Sequence, residues 1–210
     1  MSGDAILLLG AGGHARSCVD VIEQEGRFRI AGFVGTANEV GTTQLGYPVL
    51  GSDADLPSLL QKFKRVLVTV GQVKSPDVRM HLFAMARAHQ CELPAIISPH
   101  AYVSRHAQIG AGTVVIHGAL VNPNARVGEN CILNTGAVVD HDAIVGDHCH
   151  ISTTAVLNGG VIVGAGSFVG SNACVRQDIR IGERCLIGMG QRVVADCADG
   201  TWLPPRKEKA

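Results

Sequence analysis

Across residues 97–196 an aliphatic residue returns at every sixth position. The stretch divides into 17 hexads, from ISPHAY, VSRHAQ and IGAGTV to a final VVAD, and each opens with Ile, Val or Leu. The fifth position is nearly always small, as at Ala101, Ala119, Cys131, Ala143, Cys149 and Cys185. A period of six fits neither the 3.6-residue helix nor two-residue strand alternation, and it is the signature of a hexapeptide β-helix. Each hexad supplies a short strand and a turn. The opener and the small residue point into a narrow prism, while Gly, Asn and Asp make the corners. A bulky fifth residue would overfill a core whose coils stack at about 4.8 Å. A sandwich of ordinary strands would show irregular turn spacing instead.

The first half is patterned differently. Residues 5–9 (AILLL) form a continuous apolar run ended by Gly10-Ala11-Gly12-Gly13-His14-Ala15-Arg16, which predicts a buried parallel strand turning into a helix. That helix is predicted over about 14–25, with Cys18, Val19 and Ile22 inward and Gly26 ending it. A second strand is predicted at 29–34, a loop at 36–53, a short helix at 56–63 and a third buried strand at 65–70. A longer helix through about residue 89 follows, with Ser75 as N-cap and Pro76 at the first helical position. The alternation implies a small Rossmann-like α/β domain with a parallel sheet over residues 1–95, followed by a parallel β-helix over 96–196. ELPAI at 92–96 enters the first hexad without a flexible linker, so the two should be rigidly joined. Residues 197–210 leave the period and read as a C-terminal tail with a basic end, Trp202 capping the open prism.

Composition narrows the function classes. The net charge is +0 and the pI about 7.1, so bulk electrostatics recruit neither nucleic acid nor an anionic membrane. No apolar run is long enough to span a bilayer, and MSGDAILLLGAGG lacks a basic n-region, so a cytoplasmic protein is expected. The seven cysteines contain no C-x-x-C pair. Cys131, Cys149 and Cys185 take the small inward position and Cys18 a helix, so they read as small hydrophobes, with no metal expected.

Two places carry candidate chemistry. The glycine loop sits at the carboxyl end of the first strand, where backbone N–H groups and a helix N-terminus suit a phosphate; a turn that only lets the helix pack on the sheet is the plainer alternative. An NAD binder would carry an acid about 20 residues on. Here the second strand ends Phe33-Val34-Gly35-Thr36 with no acid, which disfavours NAD and favours a nucleotide diphosphate attached to some other group. In the hexads, Asn134, Asp140-His141-Asp142, His148 and His150 form a cluster that turn-making does not require. A histidine takes a proton near neutral pH, and the adjacent Asp142 can fix its tautomer. The spacing His141-x6-His148-x-His150 matches no standard zinc site.

GAGGHAR at 10–16, GYPVLGSD at 46–53, NTGAVVDHD at 134–142 and the hexad array together resemble the NeuD/PglD-like sugar acetyltransferases. These join a nucleotide-sugar-binding domain to a left-handed β-helix. The resemblance implies a homotrimer with active sites in clefts between subunits, acetyl-CoA along the β-helix, and a nucleotide-linked amino sugar held by Gly10, Gly12, Gly13, His14 and Arg16. His141 matches the general base and Asp142 its orienting acid. Asn134, Asp140 and His150 match positions lining the reacting centre, and Gly159, Gly170 and Gly188 fall where pantetheine approaches the backbone. The chain departs from the family at Gly35-Thr36, where UDP-sugar binders carry acids, and at 201–207 (TWLPPRK), where a Gly-Val-Pro-Ala-Lys-like segment touches CoA. The implied reaction is direct N-acetylation of a nucleotide-linked 4-amino-4,6-dideoxy sugar. O-acetylation of a sialic-acid-like sugar and a non-catalytic β-helix binding subunit stay open at this level.

Overall fold

The opening apolar run forms β1 (Asp4–Leu9) in the computed structural model, which describes residues 4–205. Four consecutive buried residues, Ile6 to Leu9, place β1 at the centre of its sheet. It turns into α1 (Gly13–Glu25), which buries Ala15, Cys18, Val19, Val21 and Ile22 and ends at Gly26, left-handed at φ 71°. There follow β2 (Phe28–Gly35), β3 (Thr43–Gln44), β4 (Tyr47–Ser52), α2 (Leu56–Lys62), β5 (Arg65–Val68) and α3 (Asp77–Ala88). The sheet order is β3-β4-β2-β1-β5.

Three local expectations change. Residues 36–53 are not a loop but hold β3 and β4, an antiparallel hairpin whose second strand pairs parallel to β2. Only Val49 and Gly51 of β4 are buried, too few apolar positions to announce a strand, and Gly32 admits the close approach because a Cβ there would lie 2.5 Å from Pro48 O. The third strand stops at Val68; Thr69 beyond it still donates its N–H to Leu9 O at 2.9 Å and its hydroxyl to Gly10 O at 2.7 Å. Finally, α3 starts at Asp77 with Pro76 at the N-cap. Ser75 caps from one residue further out, its Oγ accepting from Asp77 N–H at 3.1 Å.

The hexads form two-residue parallel strands in three stacks, each residue pairing 18 positions on, as in Leu120 with Val138 and Val138 with Val156. One face runs from Ile96–Ile97 to Trp202–Leu203, the second from Tyr102–Val103 to Arg192–Val193, and the third from Gln108–Ile109 to Arg180–Ile181. Hexad openers such as Val121, Val139 and Leu157 meet Ala119, Cys131, Ala137 and Cys149 in one buried column. Left-handed residues turn the corners; Asn124, Asp142, Gly160 and Asp178 are four successive levels of one edge.

The N-terminal domain covers the first face. Ile96, Val114 and Ile116 share a core with Ile6, Leu8 and Phe33, and His117 Nε2 lies 2.7 Å from Asp20 Oδ2. At the far end the coil outlasts the hexad period. Cys197 bridges to Ile181, and Trp202–Leu203 pairs with Leu186–Ile187. Strand alternation sends Leu203 against the core and Trp202 outward, 69% exposed, so Trp202 does not cap the prism. The basic end, residues 206–210, lies outside the described residues. Among the described residues no helix is long and apolar enough to cross a membrane.

Candidate active site

His141 stands on the edge between the second and third faces, opposite the face that the N-terminal domain covers. Its side chain is 61% exposed, and its Nδ1–H donates to Asp142 Oδ2 at 2.8 Å. Asn124, one coil below, donates to Asp142 Oδ1 at 2.6 Å, and Asn122 donates to Asp140 Oδ1 at 2.7 Å. Asp140 Oδ1 also accepts the His141 backbone N–H at 2.8 Å. The 18-residue coil therefore aligns a neutral donor beneath each acid, and the acids fix the histidine.

This scaffold sets the charges. The Asp142 hydrogen bond, followed by the nearby Asp140 charge, raises the His141 pKa. The Asn124 amide holds Asp142 below the usual carboxylate range, and the Asn122 amide does the same for Asp140. With Nδ1 engaged, Nε2 is the nitrogen left to take a proton, and it has no partner among the described residues. It lies over Gly159, where a Cβ would come within 2.6 Å of His141 Cε1 and 2.8 Å of Nε2. A cleft of about 380 Å³ opens here, bounded by Asp140, His141, Asn158, Gly159, Gln177 and Asp178.

The glycine loop lines a second, larger cavity of about 790 Å³ at the carboxyl ends of β1, β2 and β5. Gly10 and Gly12 border it. Gly10 sits at φ 119° with Val70 Cγ2 2.6 Å from where a Cβ would be, so packing alone demands glycine there. A Cβ built on Gly12 or Gly13 would meet nothing within 4 Å, and no acidic residue occupies the first turn of α1, which suits an anion. Arg16 is exposed on that turn.

Three acids of this cavity, Glu39, Asp53 and Asp77, escaped the sequence reading. Glu39 Oε2 accepts the Thr36 N–H at 2.7 Å and the Thr36 hydroxyl at 2.8 Å, a capping box that folds the carboxylate back to the end of β2. An acid does reach the strand end that Gly35-Thr36 seemed to leave without one. Thr36-x-x-Glu39 was the visible signal.

The structure separates the histidines that the sequence grouped. His150 is 6% exposed on the covered face; its Nδ1–H donates to Gln72 O at 2.6 Å, and Nε2 accepts from Asn134 Nδ2 at 3.1 Å. Burial pushes its pKa down to about 4, so the ring is neutral with both nitrogens occupied. His14 turns toward it, ring centroids 6.5 Å apart, and burial with the Arg79 charge pushes His14 down to about 3. His148 meets Phe83 of α3 edge-on. Asn134 begins the column Asn134, Ser152, Gly170, Gly188 on the edge between the first and second faces. A Cβ on Gly170 would come within 2.6 Å of Met189 N, so the next coil already requires glycine there.

Arg79, 1% exposed, also escaped the sequence reading. It donates to Val68 O, Val70 O, Asn130 O and Asn130 Oδ1 at 2.6–3.0 Å and so pins α3 to the prism. Among the described residues no three His, Cys, Asp or Glu converge as a metal site would require.

Residues 5–85 match the family model described as the PglD N-terminal domain. The whole chain is similar to PerB from Caulobacter crescentus, solved with CoA and GDP-perosamine: 34% identity, 96% of this chain and 94% of that one covered, TM-score 0.87. A His-to-Asn variant of perosamine N-acetyltransferase from the same organism, also with CoA and GDP-perosamine, aligns at 33% identity over 96% and 93%, TM-score 0.88. The acetyltransferase domain of PglB from Neisseria gonorrhoeae, in complex with acetyl coenzyme A, aligns at 31% identity over 96% of each chain, TM-score 0.86. No curated protein sequence matches the chain significantly. Identity above 30% along nearly the full length of both partners, together with the glycine-loop domain and the hexad prism, places this chain in the NeuD/PglD-like family of hexapeptide-repeat sugar acetyltransferases.

Proposed function

We propose that this enzyme moves the acetyl group of acetyl-CoA directly onto the amino group of a nucleotide-linked 4-amino-4,6-dideoxy sugar, within a homotrimer. The observation that carries this is the arrangement at His141. Its Nδ1–H is spent on Asp142, its Nε2 is free, and it lies over Gly159, whose own N–H has no backbone partner among the described residues. A base and a hydrogen-bond donor thus face one cleft. The amine lone pair forms the N–C bond, the C–S bond breaks, one amine proton passes to Nε2, and the thiolate takes up a proton to leave as CoA-SH.

The acceptor fits the larger cavity, with its diphosphate against Gly12, Gly13 and the start of α1 and its ribose hydroxyls or base donating to Glu39 and Asp53. GDP-perosamine in the similar structures supports a nucleotide-linked amino sugar. His14, Arg16, Asn134 and Asp140 remain assigned to the acceptor side and Gly159, Gly170 and Gly188 to the thioester side, whereas His150, buried with both ring nitrogens engaged, has no polar group left for the thioester. Residues 1–95 hold the sugar nucleotide and 96–196 the chemistry.

The trimer reading rests on placement. In one chain the cavity and His141 sit on opposite sides of the prism, so a second copy must bring a base to each acceptor. The second face offers it an uncovered apolar column, with Tyr102 54% and Leu120 41% exposed, continuing through Val138 and Val156. We place the enzyme in the cytoplasm.

His141→Ala tests the assignment. Release of CoA thiol from acetyl-CoA and an amino-sugar nucleotide should fall by about 10²–10⁴ in kcat with melting temperature and oligomer size unchanged. Retained turnover overturns it.

A further inference from the structure

Asp178 is the third carboxylate at this cleft and differs from the other two. Asp140 and Asp142 are engaged by Asn122, by Asn124 and by His141 itself, whereas the Asp178 side chain has no hydrogen-bond partner among the described residues. Its position follows from the edge column Asn124, Asp142, Gly160, Asp178. At the level of Gly160 the side chain is missing, and the Asp178 carboxylate occupies that gap: a Cβ on Gly160 would overlap Asp178 Oδ1. The adjacent Gly159 carries the imidazole ring in the same way. The two functional groups therefore flank one peptide unit, whose Cα atoms are about 3.8 Å apart, and the Asp178 charge is felt at His141.

We propose that Asp178 is a specificity-determining residue that selects an amine over a hydroxyl acceptor, a reading that rests on the function proposed above. A neutral amine has two N–H groups and one lone pair. It can point one N–H at His141 Nε2, give the other to Asp178, and so aim its lone pair at the thioester carbon. A hydroxyl has a single hydrogen. If it donates to His141, its oxygen faces the Asp178 carboxylate with no proton between them; if it donates to Asp178, the base is left without a proton to take. The hexad LNGGVI thus builds the selectivity, with Gly159 seating the base and Gly160 admitting the acid.

Asp178→Asn and Asp178→Gly test this, both chosen because they tolerate the φ of 60° found at this position. Initial rates would be measured on the amino-sugar nucleotide and on its 4-hydroxy counterpart. For the amine, kcat/KM should fall by about 10- to 100-fold, the loss of a hydrogen bond to a charged group. The acetyl-CoA KM should stay within about twofold, and the ratio of hydroxyl to amine rates should rise by the factor lost on the amine. An unchanged amine rate, or an equal loss on both acceptors, overturns the proposal. Wild-type enzyme that acetylates only the hydroxyl sugar would instead overturn the proposed function itself.

Discussion

His141 and His150 lie nine residues apart on the same prism and have opposite fates. His141 stands on an uncovered edge, flanked by two acids of its own coil that Asn122 and Asn124 hold from the coil below, and its pKa is raised. His150 stands on the covered face, sealed by Gln72 and Asn134, and its pKa is pushed down to about 4. The repeat presents both outward; what packs on each face decides the rest. Uncovered edges keep a histidine available for proton transfer, and the domain interface turns one into a neutral strut.

The largest effects should break this contrast at its exposed pole. Gly159→Ala should lower kcat by about 10²–10³, nearly as far as loss of His141 itself, because the new methyl would displace the ring from its seat. Circular dichroism and oligomer size should not change. At the buried pole, Arg79→Met should cost about 3–5 kcal/mol in urea unfolding, since four carbonyl contacts lose their donor in the interior.

The pH dependence sharpens the contrast. A histidine whose folded pKa is lowered stabilises the fold fully above about pH 6.5, and that contribution is lost as pH falls toward the folded value of about 4. For His150 the loss is roughly 3 kcal/mol, and His150→Gln should lessen the slope of the stability profile between pH 6.5 and 4, the remaining slope coming from His14. His141 acts with the opposite sign. Its raised pKa puts the acid limb of kcat/KM above that of a free imidazole, and Asp142→Asn should move that limb to lower pH while reducing kcat by about tenfold. The smallest effect is expected at the glycine loop. Gly12→Val introduces a Cβ that meets nothing in the protein, so stability should hold while the acceptor KM rises about tenfold and the acetyl-CoA KM stays constant.

The prism was legible because a six-residue beat is an exact geometric demand, and the β1–α1 glycine loop because an apolar run followed by glycines has few other readings. Legibility failed where long-range packing decides. Val49 and Gly51 are too sparse a signal for β4, and Arg79 reads as an ordinary helix-surface residue until α3 docks on Asn130. Glu39 reaches the strand end only through its capping box. The grouping of His141 with His150 followed sequence distance, whereas corners of a three-sided coil diverge every six residues.

The placement of His141 opposite the acceptor cavity has a genetic consequence in the proposed trimer. Acceptor recognition and proton transfer at any one site are then encoded by different copies of the chain. A His141→Ala chain and a Gly12→Val chain, each defective alone, would restore working sites to one another when co-expressed, because a mixed trimer pairs an intact cavity from one parent with an intact base from the other.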